Sequence, residues 1–137
     1  MSLGVAVVTG GSRGIGAATA QALAGAGYTV VLSYRSAANA ADEVVTAIEK
    51  EGGRASAVCA DAARADALAA LFEAVDALHE PLRVLVNNAA TAGPFSRFAD
   101  VSARTLRDIV DTNVIGTMLC TQHAIARMST ARGGRGG

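Results

Sequence analysis

Short apolar runs of strand length alternate along this chain with longer segments of helical period, and few folds accommodate that alternation. Leu3 to Val8 is a β-type run that ends at Thr9-Gly10-Gly11. From Ile15 the pattern turns helical and rich in alanine until Gly25 and Gly27 close it. Tyr28 to Leu32 is a second β-branched run. Ala37 to Lys50 is helical, with Val44, Val45 and Ile48 on one face and Gly52-Gly53 as its stop. Ala55 to Cys59 is a third, weaker strand. Asp66 to Leu78 repeats Leu68, Leu71, Phe72 and Val75 on one helical face. Pro81 breaks that helix, Leu82 to Val86 is a fourth strand, and Ser102 can cap a long last helix that runs to about Met128. The order is β-α-β-α-β-α-β-α. Continuous apolar strands are buried on both faces, as parallel strands covered by helices are. Right-handed crossovers then give an α/β, doubly wound parallel sheet. At 137 residues the chain has room for one such domain and not two.

The most informative stretch joins the first strand to the first helix: Thr9, Gly10, Gly11, Ser12, Arg13, Gly14, Ile15, Gly16. A turn this tight demands backbone conformations that a Cβ resists. Gly14 and Gly16 also let the main chain and the helix start come close to a pyrophosphate, to which a helix N-terminus offers free N–H groups and partial positive charge. The spacing is Gly-x-x-x-Gly-x-Gly. It is neither the common dinucleotide Gly-x-Gly-x-x-Gly nor a P-loop, which requires Gly-Lys-Ser/Thr.

TGGSRGIG resembles the motif TGxxxGIG of the classical short-chain dehydrogenase/reductases at every fixed position, and Arg13 stands where the extended branch of that family has glycine. The resemblance implies a single Rossmann-type domain over residues 1–137, with Gly10, Ser12, Arg13, Gly14, Ile15 and Gly16 at the cofactor. Acidic residues about 20 positions past the glycines hold the ribose of NAD in dinucleotide folds. The second strand here ends in Ser33, Tyr34, Arg35 and Ser36, with no carboxylate. A guanidinium can bond a 2′-phosphate bidentately, so Arg35 is placed for it, Arg13 could approach from the other side, and Ser33 and Ser36 add hydroxyls. This points to NADP(H), and NADP-preferring members of the family carry basic residues at both places.

Asp61 follows the third strand, where the family uses an Asp to accept from the adenine amino group; the alternative is an N-cap to the next helix. Val86-Asn87-Asn88-Ala89-Ala90 resembles the family's NNAG, with Ala90 in place of glycine. By resemblance Asn87 is mainly structural, whereas Asn88 and Ala89 line the adenosine ribose. In the last helix Leu106, Ile109, Val110, Thr117 and Cys120 make one apolar stripe with Asn113 in its middle and Gly116 one turn on. The segment resembles the family's NxxG helix, in which the Asn is the fourth catalytic residue and holds a water that relays protons to a lysine. A well-bonded buried structural amide is the alternative.

The family also needs a serine after a fifth strand and a Tyr-x-x-x-Lys. The only tyrosines here are Tyr28 and Tyr34 and the only lysine is Lys50, so the domain is expected to be incomplete at its C-terminus, and the chain inactive alone. The fourth strand would then be an exposed edge. The implied parent activity is NADP(H)-dependent carbonyl reduction or alcohol oxidation on a small molecule by a homo-oligomer, with 3-oxoacyl-carrier reductases and glucose-dehydrogenase-like members the most similar. A non-catalytic nucleotide- or partner-binding module is the competing class.

Composition removes other classes. Twelve acidic against twelve basic residues leave no electrostatic footprint for nucleic acid or an anionic membrane, despite the short Arg-Gly-Gly tail. No apolar run reaches the ~18 residues of a membrane span, and no signal peptide opens the chain, so a soluble, cytoplasmic protein is expected. Cys59 and Cys120 form neither a redox pair nor a metal cluster and read as buried thiols. His79 and His123 match no motif and read as surface residues.

Overall fold

In the computed structural model, which describes residues 1–137, all four strands lie parallel in one sheet of order β3-β2-β1-β4. The strands are β1 (Val5–Val8), β2 (Thr29–Tyr34), β3 (Arg54–Cys59) and β4 (Leu82–Val86). The helices are α1 (Gly14–Gly25), α2 (Ala38–Lys50), α3 (Ala65–Asp76), α4 (Ala103–Val110) and α5 (Thr117–Met128). The chain steps outward from β1 to β2 and β3, then returns to the far side of β1 to form β4. The doubly wound α/β expectation therefore holds, and the reversal of direction falls between β1 and β4.

Side-chain alternation divides the core in two. Val5, Val7 and Val31 pack with Leu68, Leu71, Phe72 and Val75 of α3 and Cys120 and Ala124 of α5. Val8, Val30 and Leu32 pack on the other face with Ala20 and Ala24 of α1 and Ala41, Val44 and Ile48 of α2. All four residues of β1 are fully buried, as a central strand between two helical layers must be.

Several local expectations shift. The first strand starts at Val5 rather than Leu3, because Gly4 turns the chain at φ +114°. The second runs on to Tyr34, since Ser33 and Tyr34 find partners in Val58 and Cys59. Cys120 is buried as expected, and burial pushes its thiol up to about 11. Cys59 is exposed instead, because β3 is an edge strand and Cys59 is its last residue.

The long last helix is interrupted. Ser102 does cap α4, its Oγ accepting from Thr105 N at 3.1 Å. Residues Asp111–Gly116 then form a wider π-type turn before α5 begins. Such a turn takes an extra residue and rotates everything beyond it. The single stripe is therefore split: Leu106 and Val110 are exposed at 39% and 47%, whereas Cys120 is buried. His79 lies at the surface, but His123 does not stand free. Its ring stacks on Phe72 with centroids 4.8 Å apart, and Arg127 covers the same phenyl ring at 5.2 Å. Arg127 also binds Asp76 through two bonds, of 2.8 and 2.7 Å, which clamps α5 to α3.

Candidate functional site

The reversal of strand order opens a crevice at the carboxyl ends of β1 and β4, the place where open α/β sheets take their ligands. A cleft of about 390 Å³ lies there. Gly10, Ser12, Arg13 and Ile15 line it from the β1–α1 loop, and Ser33, Tyr34 and Arg35 from the end of β2. Ala60, Asp61 and Ala62 follow β3 into it, Asn88 to Thr91 follow β4, and Thr112 reaches it from the π-type turn. Ten of the sequence-predicted site residues meet in this one cleft.

Gly14 and Gly16 lie behind the lining and shape it. Gly14 adopts φ +56° and Gly10 φ +64°, which favours glycine at each. At Gly16 the constraint is space. A Cβ there would overlap the Gly10 carbonyl and come within 2.5 Å of Asn88 Nδ2. No side chain caps α1, and its first turn holds no acid, so its leading N–H groups remain available to an anion.

Buried polar bonds fasten the loop from below. Gly10 N donates to Ser33 Oγ at 3.3 Å and Gly11 N to Ser33 O at 2.9 Å. Ser33 is 1% exposed, and its hydroxyl braces the loop from the floor of the cleft. Thr9 is the hub on the other side. Its Oγ1 accepts from Asn88 N and Ala89 N, both at 3.0 Å, and so sews the end of β4 to the end of β1. Asn88 Nδ2 donates to Thr9 O at 3.0 Å and Gly10 O at 2.9 Å. The structural amide is therefore Asn88, which also lines the cleft. Asn87 is the exposed one, donating to Thr121 Oγ1 at 3.2 Å. Asn88 thus both lines the cleft, as expected, and braces the loop, while Asn87 points the opposite way to α5.

Asn113 sits just outside the cleft. Its Oδ1 accepts from Thr91 N and its Nδ2 donates to Thr91 O, both at 2.8 Å. This paired bond pins the segment after β4 to the π-type turn. Gly116 makes the approach possible on the other side, since a Cβ there would overlap the Ala62 carbonyl. Asp61 does not cap α3, whose N-cap is Arg64. Its Oδ1 instead accepts from Ala63 N at 2.9 Å in a local turn, and its Oδ2 faces Arg35 Nε at 3.6 Å.

The cleft thus carries two guanidiniums, one carboxylate and a glycine cradle, a set that fits a dinucleotide. A family model described as short chain dehydrogenase matches residues 4–135. The chain belongs to that family. It is 42% identical over 135 residues to the uncharacterised oxidoreductase YgfF of Escherichia coli (strain K12), covering 98% of this chain and 55% of that protein. It is 40% identical over 134 residues to a 3-oxoacyl-[acyl-carrier-protein] reductase of Synechocystis, covering 96% and 53%. Among solved structures, a metagenomic short-chain oxidoreductase in complex with NADP superposes with a TM-score of 0.88 at 34% identity, over 96% of this chain and 59% of that one. The chain spans about half the length of the curated relatives it matches. No helix is long and apolar enough to cross a membrane.

Sequence reasoning passed over Thr9, Thr91 and Thr112. Thr9 opens the quoted motif, and its small hydroxylated side chain beside a glycine run was the available signal. Thr112 precedes Asn113 and could have been found on the same turn. Thr91 acts through its backbone, which leaves no side-chain signature.

Proposed function

We propose that this chain is the NADP(H)-binding portion of a short-chain oxidoreductase that reduces a small carbonyl compound or oxidises the corresponding alcohol. The observation that carries the reading is the presence of Arg13 and Arg35 in one cleft, with no carboxylate at the end of β2. An acid there would repel a 2′-phosphate, whereas two guanidiniums attract it. The NADP bound by the metagenomic relative supports the same assignment.

In this reading the glycine cradle and the uncapped start of α1 hold the pyrophosphate. Arg35 and Arg13 hold the 2′-phosphate, and Asp61 accepts from the adenine amino group. Ala89 and the cleft-facing side of Asn88 border the ribose. The nicotinamide, when bound, supplies or accepts the hydride. Asn113 keeps the post-β4 segment in place and contributes to proton relay toward a lysine of the whole protein. The serine and the Tyr-x-x-x-Lys of catalysis are absent from these 137 residues, so the chain alone is inactive. The whole protein works in the cytoplasm as a homo-oligomer.

Isothermal titration of the chain with NADPH and NADH tests the cofactor reading. NADPH should bind at least about tenfold more tightly, the equivalent of one charge-assisted contact. Equal or tighter binding of NADH would refute it.

A further inference from the structure

Two cations and one anion converge where Arg13, Arg35 and Asp61 line the cleft. The carboxylate is the fixed partner. Asp61 Oδ1 is engaged by Ala63 N at 2.9 Å, and its side chain is 28% exposed. Arg35 is the mobile partner, with a side chain 74% exposed and only its Nε facing Asp61 Oδ2, at 3.6 Å. Its backbone is nevertheless tethered to β3, since Cys59 Sγ donates to Arg35 O at 3.5 Å and Ala60 N to Tyr34 O at 2.8 Å. Arg64, the first guanidinium after Asp61, is engaged on Asp66 at 2.9 Å. Asp61 and Arg35 therefore face each other while Arg64, the other cation that feels Asp61, is held in its hydrogen bond to Asp66.

We propose that Asp61 is a specificity-determining counter-charge, which shares Arg35 with the cofactor's 2′-phosphate and so moderates the preference for the phosphorylated dinucleotide. The inference rests on the reading of Arg35 as the 2′-phosphate ligand. Contact at Nε leaves both Nη groups free, so the phosphate still binds, and the ion pair modulates rather than blocks it. The arriving phosphate meets a guanidinium already partly neutralised, with a fixed carboxylate beside it. A dinucleotide with a free 2′-hydroxyl brings no charge to this corner and meets Asp61 only through its adenine.

The test compares adenosine 2′,5′-bisphosphate with adenosine 5′-monophosphate, which differ only in the phosphate at issue, by isothermal titration of the chain. Asp61→Asn keeps the size of the side chain and the acceptor for Ala63 N while removing the charge. It should raise the ratio of bisphosphate to monophosphate affinity about two- to fivefold, the range of an exposed ion pair, because any change at the shared adenine amino group cancels in that ratio. In an Arg35→Ala background the same substitution should have no such effect. The gain should be largest above the second ionisation of the phosphate, near about pH 6, and shrink below it. The other charged groups at this corner are Arg13, Arg35, Arg64 and Asp66. An unchanged or lowered ratio, or a rise in the ratio that persists without Arg35, would overturn the proposal. If the wild-type chain binds the bisphosphate no better than the monophosphate, or Arg35→Ala leaves that difference intact, the cofactor reading itself fails and takes this one with it. If those controls hold and Asp61→Asn changes nothing, only the counter-charge is refuted.

Discussion

Replacing Gly16 by alanine should do more damage than replacing Gly14, although both belong to one motif. At Gly16 the added methyl would overlap the Gly10 carbonyl and lie 2.5 Å from Asn88 Nδ2, so either the loop or the amide must move. Overpacking a close-packed site of this kind costs about 1–3 kcal/mol. Moving Asn88 also strains its bonds to Thr9 O and Gly10 O, worth about 1 kcal/mol each. Alanine returns up to about 1 kcal/mol of helix propensity, and less so near the first turn. The expected balance is a loss of about 2–3 kcal/mol of stability, with cofactor affinity lowered more than about tenfold because the loop is displaced. At Gly14 there is open space, and the cost is the left-handed backbone alone, about 1–2 kcal/mol. Urea unfolding followed by circular dichroism, with NADPH titration of each variant, separates the two. A Gly16→Ala protein with an unchanged midpoint and unchanged affinity would refute the steric argument.

Other outcomes follow from the same geometry. Thr9→Val keeps the shape but leaves Asn88 N and Ala89 N without their acceptor, and should cost about 1–3 kcal/mol in urea unfolding, with Thr9→Ser close to wild type. His123 is held below its ordinary value, by burial first and by Arg127 second, so the unfolded chain protonates before the folded one. Stability is then full above about pH 6.5 and declines as the pH falls below it; His123→Gln should flatten the urea midpoint between pH 7 and pH 5, and an equal slope in both proteins would refute the assignment. The hydrogen bond from Arg127 holds Asp76 below the ordinary carboxylate range, so its contribution is present at neutral pH and is lost in acid below about pH 4, a loss that Asp76→Asn should remove. With iodoacetamide at pH 8 one thiol per folded chain should react, the exposed Cys59, while Cys120 waits for denaturant; intact mass would expose the error if both react.

Residue order alone made legible the features that local physics controls. Apolar runs such as Val5–Val8 and Leu82–Val86, separated by helices ending in glycine, could only make a parallel, doubly wound sheet. A glycine-rich turn after the first strand had to lie where a helix start meets the sheet's carboxyl edge. The missing carboxylate at the end of β2 was legible for the same reason, since composition at a known strand end needs no tertiary information. Only the tertiary structure decided matters that depend on neighbours distant in the chain. It turned Asn88 inward onto Thr9 and Gly10 and Asn87 outward onto Thr121, because strand pleat and the approach of Thr9 choose which amide turns inward. It exposed Cys59 by leaving β3 at a sheet edge, and it buried Ser33 beneath the loop. The last helix carries the clearest lesson. Leu106, Val110 and Cys120 share a stripe on an ideal helix, but the close approach of Gly116 to Ala62 and the paired bond of Asn113 to Thr91 accompany a wider turn. Spacing along a chain assumes a constant 3.6 residues per turn, and contacts made from outside the helix are what alter it.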